Sequence, residues 1–438
     1  MYQRASTDGL RALTAILIAV LALAGSACDR AKERMVASQD EIILERRPDP
    51  VYDQLYPYYV ELCAVSQFRS KVTGAGGVPG HAVMYLKGAC NDEASPYPQL
   101  RRCRRVATDP YDPEHGAGVS VNRWFRNVNW IATPGQALFY EGGLSPDARL
   151  TRAQFDATIR KLIDAGVYRG VELHDYPTDA DERSLEDFIG RSSLATDHAL
   201  RFARSVFCAR MPITEAMLGD VIDFLNELNH EFATGEADYE WSGLSDNCVH
   251  TLRNSLAAAS IWAPTSVRVI KLRQLFNLAI PANEFVNLAR LGAEGPLEDY
   301  GKVYDDSIRR DALVEFDWLP TRHGALVKTL PVFAENDLYD TTLRLFVLQS
   351  PFRRGQMEHA VRLLSDERFV DVGANLRHFE QVYARILAER DDEGFGIASL
   401  RGDRYRRVRR RYYAYIEKQK AETQDLLARL GPESPQSR

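Results

Sequence analysis

Residues 239–259 read YEWSGLSDNCVHTLRNSLAAA, a polar turn that leads directly into an amphipathic segment. Apolar side chains recur at helical spacing, namely Val249, Leu252, Leu256 and Ala259. Asp246 or Asn247 is the expected N-cap, which places Cys248 in the first helical turn. Unpaired amides and the helix dipole there stabilise a thiolate, lower the thiol pKa and can hold an oxyanion. The pattern indicates a nucleophilic cysteine; the alternative is a buried structural cysteine.

A thiol nucleophile needs a base, and three histidines are candidates. His250 is the nearest in sequence, but two residues apart on a helix point to different sides, so it is a poor base. His81 begins a predicted buried strand after the Gly-rich loop 72–80, where side chains commonly face a cleft. His174 is a second candidate base or an orienting group. We expect His81 to be the base, with a hydrogen-bonded structural histidine as the alternative.

The order of these motifs resembles a known family. Cys-His thiol enzymes with a permuted papain-like core carry a Gly-His strand first and an Asn-Cys helix later. The matching residues here are Gly80-His81, Val119-Ser-Val-Asn122, Asp246-Asn247-Cys248 and Leu252-Arg253-Asn254. They are similar to the periplasmic domain family that includes a bacterial lipoprotein N-acyltransferase, over about residues 52–262.

The resemblance implies a thiol acyl enzyme that works through a thioester. Cys248 would attack an ester or amide carbonyl, His81 would carry the proton, and the helix start at Asp246 and Asn247 would supply oxyanion donors. Asn122 would orient His81, or it is a strand-end asparagine that makes a turn. The acceptor is water or an amine. The alternatives are a peptidoglycan peptide hydrolase with the same residues and a non-catalytic envelope scaffold.

The first 28 residues resemble a lipoprotein signal peptide. Arg4 and Arg11 precede an apolar run over 12–24, which is too short to span a membrane. Gly25-Ser-Ala then leads into Cys28, with Gly25 where leucine is usual. We expect acylation of Cys28 and anchoring to the inner membrane on the periplasmic side, with the outer membrane or plain secretion as alternatives.

The six cysteines fit a protein outside the cytoplasm, where disulfides form. Cys90 and Cys103 bracket a proline-containing loop and are the preferred pair, whereas the pairing of Cys63 and Cys208 stays open. The alternative is that all four are buried free thiols. No CxxC motif is present, which excludes a zinc ribbon and a thioredoxin motif.

The chain length favours more than one domain. We predict a signal peptide at 1–27, a tether at 28–50, an α+β papain-like domain at 51–264, a mainly helical domain at 265–430 and a disordered tail at 431–438. In the first domain, helices are expected at 51–70, 152–165, 195–208, 214–232 and 249–260, and strands at 81–86, 119–125, 128–132, 137–140 and 167–173. In the second, helices are expected near 284–291, 306–313, 336–349, 356–365, 371–389 and 403–430.

The remaining signals concern ligands and partners. The net charge of -6 argues against nucleic acid. The loop with Asp109, Asp112, Glu114 and His115 is interpreted as a solvated acidic loop, with a metal site as the alternative, and no cofactor is expected. Arg404, Arg407 and Arg411 open the last helix and would contact anionic lipid, or form a solvated face paired with acidic groups. The expected substrate is a lipid, a lipoprotein or a cell-wall peptide.

Overall fold

The structure is a computed structural model. It describes residues 36–38, 50–65, 69–70, 80–136, 151–173, 206–269, 280–330, 337, 339–340, 344–346, 355–390 and 402–431. Cys28, the predicted tether apart from its residues 36–38 and 50, and His174 lie outside these ranges. Among the residues described, no helix has the length and apolar character needed to cross a bilayer.

Twelve strands are present in the described ranges. They are β1 (Val36–Ser38), β2 (Tyr59–Val65), β3 (Arg69–Ser70), β4 (His81–Lys87), β5 (Ala89–Asn91), β6 (Leu100–Arg102), β7 (Gly116–Val121), β8 (Trp130–Pro134), β9 (Val206–Pro212), β10 (Leu326–Leu330), β11 (Tyr339–Asp340) and β12 (Arg344–Phe346). Six of them form one sheet in the order β10-β9-β2-β4-β7-β8, and every pairing in it is antiparallel. The pairs β1-β12, β3-β11 and β5-β6 form three small sheets.

Eleven helices are described. They are α1 (Pro50–Leu55), α2 (Arg152–Asp164), α3 (Glu215–Ala233), α4 (Cys248–Ala258), α5 (Pro281–Ala293), α6 (Tyr300–Asp305), α7 (Ser307–Phe316), α8 (Gln356–Ser365), α9 (Glu367–Val370), α10 (Val372–Ala388) and α11 (Gly402–Leu430). The chain is of mixed helix and sheet, in agreement with the α+β prediction.

Three helices cover one face of the central sheet. Side chains alternate along a strand, so Ala82 and Met84 leave β4 on this face. The Ser255 hydroxyl of α4 lies 4.0 Å from the Met84 sulfur. Helix α3 follows at the edge, where the Trp130 indole donates to the Leu225 carbonyl at 2.7 Å. Helix α5 completes the layer against β2 and β9.

Helices α1, α10 and α11 cover the opposite face, which contains buried charge. Glu61 of β2 is fully buried and accepts hydrogen bonds from Arg210 and Lys328, each at 2.7 Å. Tyr59 donates to Asp53 of α1 at 2.7 Å, so the short helix is fixed to the sheet by polar contacts. Because each of these charges has an oppositely charged neighbour, their burial is tolerated.

The sequence-based assignment over 51–70 was wrong for most of its length. The helix ends at Leu55, and Tyr59–Val65 is a buried strand. Pro57 explains the break, since it lacks an amide proton and disfavours helical geometry in the residue before it. The aromatic and β-branched residues that follow suit a strand.

Other local assignments also changed. Residues 167–170 form turns, with Gly170 at a positive φ of 69°, and Leu173 forms an isolated bridge to Phe125. The last residues of the predicted helix at 195–208 belong to strand β9, which begins at Val206. The earlier part of that prediction lies outside the described residues. The predicted helix at 336–349 contains strands β11 and β12 instead. The predicted strand at 137–140 lies outside the described residues.

The proposed domain boundary at residue 264 falls inside one hydrophobic core. Strand β10 comes from the second segment, yet it pairs with β9 at the edge of the central sheet. Phe285 of α5 packs against Phe207 of β9, with ring centroids 6.4 Å apart. The C-terminal segment therefore completes the sheet in addition to forming its own helical cluster around α10 and α11.

Candidate functional site

Cys248 is the first residue of α4, as the sequence pattern required. Asn247 is the N-cap; its side-chain oxygen accepts from the amides of Val249 at 2.9 Å and His250 at 3.3 Å. Its amide nitrogen donates to the Gly243 carbonyl at 2.9 Å, which ties the preceding loop to the helix. Asp246 and Asn247 were both candidates for the N-cap, and Asn247 is the residue that caps the helix. Its side-chain hydrogen bonds hold the first turn, and with it Cys248, in place.

His250 completes the cap and does not face the thiol as a base. Its Nδ1 lies 2.9 Å from the Asn247 side-chain oxygen and 3.4 Å from the Asn247 backbone nitrogen. Burial, together with the charge of Arg253, lowers the pKa of this imidazole to about 4. His250 is therefore neutral near pH 7 and serves the helix terminus.

The sulfur of Cys248 is surrounded by backbone amides but excluded from solvent. The residue is 7% exposed. Burial raises the pKa of the Cys248 thiol to about 11, although hydrogen bonds from the amides of Ala82, Val249 and Cys248 itself act to lower the pKa. The expectation of a lowered pKa was wrong for this state, because desolvation of the thiolate outweighs the amides at the helix start.

His81 lies at the same end of β4 as the sulfur. It is the first residue of the strand, directly before Ala82, whose amide contacts Cys248. The His81 Nε2 atom lies 2.9 Å from the hydroxyl oxygen of Ser120, a buried residue of β7. Since β7 pairs Ser120 with Val83, the two side chains lie diagonally on one face of the sheet.

Ser120 is a site residue that the sequence reasoning missed. The assigned orienting residue, Asn122, follows the end of β7, and its side-chain oxygen accepts from the Trp124 amide at 3.1 Å. Asn122 therefore makes a turn at the end of the strand, which was the alternative to its orienting role. The side chain hydrogen-bonded to His81 is that of Ser120. The alternation of side chains along a strand could have indicated Ser120, because Ser120 and Asn122 are two residues apart and so share a face near His81.

Two polar groups of the loop before α4 lie near the thiol. Tyr239 is 3% exposed, and among the described residues its hydroxyl has no hydrogen-bond partner. Burial raises the pKa of Tyr239, and the charges of Asp246 and Cys248 act in the same direction. Burial also raises the pKa of Asp246 to about 6. The sequence analysis quoted Tyr239 without giving it a role.

Helix α4 is also fixed from the C-terminal segment. The Arg253 guanidinium donates to Glu284 of α5 at 2.7 Å, and Glu284 is fully buried. The same guanidinium stacks 4.3 Å above the Trp262 ring. Because one partner is a buried carboxylate, loss of the arginine would leave an unpaired charge in the core.

The cysteines divide into two disulfides and one free thiol among the described residues. Cys90 is bonded to Cys103, the preferred pair, and Cys63 of β2 is bonded to Cys208 of β9. Cys248 is the free cysteine of the described part. It is therefore available as a nucleophile.

Two of the three carboxylates of the acidic loop are paired with arginines, and Asp109 accepts from the Tyr111 amide. Glu114 pairs with Arg101 at 2.6 Å, and Asp112 pairs with Arg105. His115 is buried against Asp53, with Nε2 3.4 Å from the carboxylate. These groups stabilise the loop on the sheet and do not converge on a common centre.

Comparisons with known proteins identify no relative. No protein-family model, no curated protein and no solved structure matches the chain. The chemistry of the site is therefore derived from its own residues.

Proposed function

We propose that the chain is an exported thiol acyl-transfer enzyme with a permuted papain-like site, in which Cys248 is the nucleophile and His81 the base. The observation that carries the proposal is the junction of α4 and β4. There the free thiol at a capped helix start lies near the amide of Ala82, the residue next to a histidine that is hydrogen-bonded to Ser120.

The proposed reaction assigns one role to each group. The His81 side chain leaves β4 on the face opposite to the one covered by α4, so its ring must reach the sulfur past the start of the strand. With Nε2 bonded to Ser120, Nδ1 then takes the thiol proton as the sulfur attacks an ester or amide carbonyl. His81 then gives that proton to the leaving alcohol or amine, and a thioester remains on Cys248. Water or an amine then attacks the thioester and gives up a proton to His81, which passes that proton to the departing Cys248 thiolate as the acid or amide product leaves.

The oxyanion is assigned to donors near the thiol. The backbone amides around the sulfur are fixed by the helix start, and the unpartnered hydroxyl of Tyr239 adds a side-chain donor. An unpaired buried hydroxyl costs roughly 1–3 kcal/mol of folding stability. Its retention beside the thiol fits a group that finds its partner when substrate binds.

The burial of the thiol places a condition on this chemistry. A thiol with a pKa of about 11 is protonated near pH 7, so the resting site does not hold a preformed thiolate. Proton removal by His81 must accompany attack, and substrate binding must open the sulfur to the acyl carbon. The same burial favours a second candidate, a non-catalytic envelope scaffold that retains the fold.

The disulfides support export. Cys63–Cys208 joins two strands in the middle of the sheet, and Cys90–Cys103 closes a small hairpin. Structural disulfides form and persist in oxidising compartments such as the periplasm. Anchoring through Cys28 to the inner membrane, or to the outer membrane, is part of the proposal.

Trapping of the acyl-enzyme tests the reaction. The wild-type protein is incubated with a p-nitrophenyl fatty-acyl ester, and intact mass is measured with and without neutral hydroxylamine, which cleaves thioesters. We expect one acyl adduct that hydroxylamine removes and that Cys248→Ala abolishes. An identical yield in Cys248→Ala overturns the proposal. No adduct from acyl esters and acyl phospholipids overturns acyl transfer from lipids and leaves the peptide hydrolase and the scaffold.

Matched variants test the assignment of the orienting residue. Ser120→Ala is expected to slow acylation about tenfold to a hundredfold, because His81 loses its hydrogen bond, while Asn122→Ala leaves the rate nearly unchanged. Equal rates in the two variants would contradict the role of Ser120. Cleavage of cell-wall peptides without acylation by lipid esters would select the peptide hydrolase.

A further inference from the structure

The first half of α11 concentrates positive charge in a chain of net charge -6. Residues 402–414 contain six arginines and one acidic residue, Asp403, whereas residues 415–430 contain three basic and three acidic residues. The imbalance is therefore confined to one end of a 29-residue helix.

Only part of this charge is used within the fold. Arg409 is buried, 5.0 Å above the Tyr413 ring, and Arg406 pairs with Asp403. Four exposed arginines remain, and we call them the basic face: Arg404, Arg407, Arg410 and Arg411. Arg411 donates to the Leu313 carbonyl at 3.0 Å, and the other three have no ion pair with any described residue.

Acidic side chains near the helix have other partners. Glu417, the next acidic residue along α11, pairs at 3.0 Å with Arg390, which follows the end of α10. Asp317 is bound by Lys418 at 2.6 Å. The described surroundings of the basic face therefore do not neutralise it, and the alternative of a solvated face paired with acidic groups is not supported.

The arrangement is unfavourable for the isolated helix. Arg407 lies three or four positions from Arg404, Arg410 and Arg411, and each like-charge pair costs roughly 0.2–0.5 kcal/mol. The N-terminal end of a helix is also the positive end of its dipole, where cations are disfavoured. Helix stability does not explain this row of charges, whereas binding to a layer of anions would explain it.

The other end of α11 lies beside the point where the chain enters from its predicted anchor. Arg429 donates to the Gln54 carbonyl at 3.0 Å, only four residues beyond Pro50. A helix of this length extends about 43 Å. The start of α1 at Pro50 and the basic face therefore lie toward opposite ends of this helix.

We propose that the basic face of α11 docks on the phosphate headgroups of an anionic phospholipid bilayer. Each arginine near such a surface contributes about 1 kcal/mol, and the attraction falls off within a Debye length. The proposal does not depend on acyl transfer at Cys248. It assigns the surface to a lipid layer and not to nucleic acid because it rests on the lipid anchor at Cys28 that is part of the proposed function, which would hold the chain beside a bilayer.

Vesicle flotation tests the proposal with the chain carrying Cys28→Ser, so that no covalent lipid contributes. We expect binding to an equimolar phosphatidylcholine–phosphatidylglycerol mixture, weakening with added salt, and no binding to phosphatidylcholine alone. The triple variant Arg404→Gln, Arg407→Gln, Arg410→Gln should bind about a hundredfold more weakly.

A control variant removes the same charge from arginines that have acidic partners. Arg385, Arg390 and Arg406 pair with Glu298, Glu417 and Asp403, and their triple glutamine variant should retain most of the binding. If the two triple variants lose vesicle binding equally, net charge alone explains the binding and the proposal is overturned. A lack of binding to the anionic vesicles, or tighter binding to a short DNA duplex than to those vesicles, also overturns it.

Discussion

Two opposing effects act on the thiol of Cys248. The helix start and the amide of Ala82 favour the thiolate, whereas burial favours the neutral thiol, and burial dominates in the state described here. The balance depends on access of water to one atom. A small opening of the site would lower the thiol pKa, which couples substrate binding to activation of the nucleophile.

Alkylation of Cys248 should therefore be slow near neutral pH and rise with pH. At pH 7 a group of pKa about 11 is ionised to about one part in ten thousand, so the iodoacetamide rate should rise about tenfold per unit up to about pH 10. The denatured chain provides the reference, with a midpoint at about pH 8.5. A plateau of the folded protein at or below that pH would show that the site is open and the thiol acidic.

At the scale of the element, α4 is fixed at its start by Asn247 and in its middle by Arg253. The N-cap bonds two amides and the loop before the helix, and the arginine joins the helix to Glu284 of α5. Both contacts limit movement of the first turn. The position of the sulfur is thus a property of the whole helix and its attachments.

Asn247→Ala is expected to reduce both stability and acylation. Loss of an N-cap costs about 1–2 kcal/mol in the free energy of unfolding, and the sulfur would lose its fixed position against the amides. The control is Thr214→Ala, which removes the N-cap of α3 at a similar cost and leaves Cys248 untouched. Urea denaturation and the acyl-enzyme rate are measured for both variants. Equal acylation rates in the two would contradict the role of the cap.

At the scale of the whole molecule, a buried charge cluster joins α1 to the central sheet. Asp53 accepts from Tyr59 and lies 3.4 Å from His115 and 3.9 Å from Lys87. Burial acts to raise the pKa of Asp53, but the hydrogen bond to His115 and the charges of Arg210, His115 and Lys87 outweigh it and lower the pKa to about 2. The folded state therefore binds a proton less readily than the unfolded chain.

Stability should accordingly fall in acid. Between about pH 5 and 2, Asp53 becomes protonated in the unfolded chain but stays ionised in the folded protein. Asp53 therefore lowers the free energy of unfolding by about 2 kcal/mol over this range. Asp53→Asn should be less stable at pH 7 and lose less stability on acidification. Denaturant titrations at pH 7, 4 and 3 measure this. Parallel losses in wild type and Asp53→Asn would assign the acid sensitivity to other carboxylates.

Local signals were sufficient for the helix that carries the thiol. A polar turn, a capping asparagine and apolar residues at helical spacing act within three or four residues of one another, so the sequence predicted α4 and the position of Cys248 in it. The same holds for α3, α8, α10 and α11, whose apolar faces follow the helical period. Pro57 also was a local signal, and it should have indicated that the helix ends before it.

Contacts between distant parts of the chain decided the rest. The hydrogen bond of Ser120 to His81 depends on the pairing of β4 with β7, and the raised pKa of Cys248 depends on how completely the fold covers the sulfur. Strand β10 joins the central sheet across the expected boundary at residue 264. Register, burial and sheet order arise only when the chain packs, and no residue pattern within a few positions encodes them.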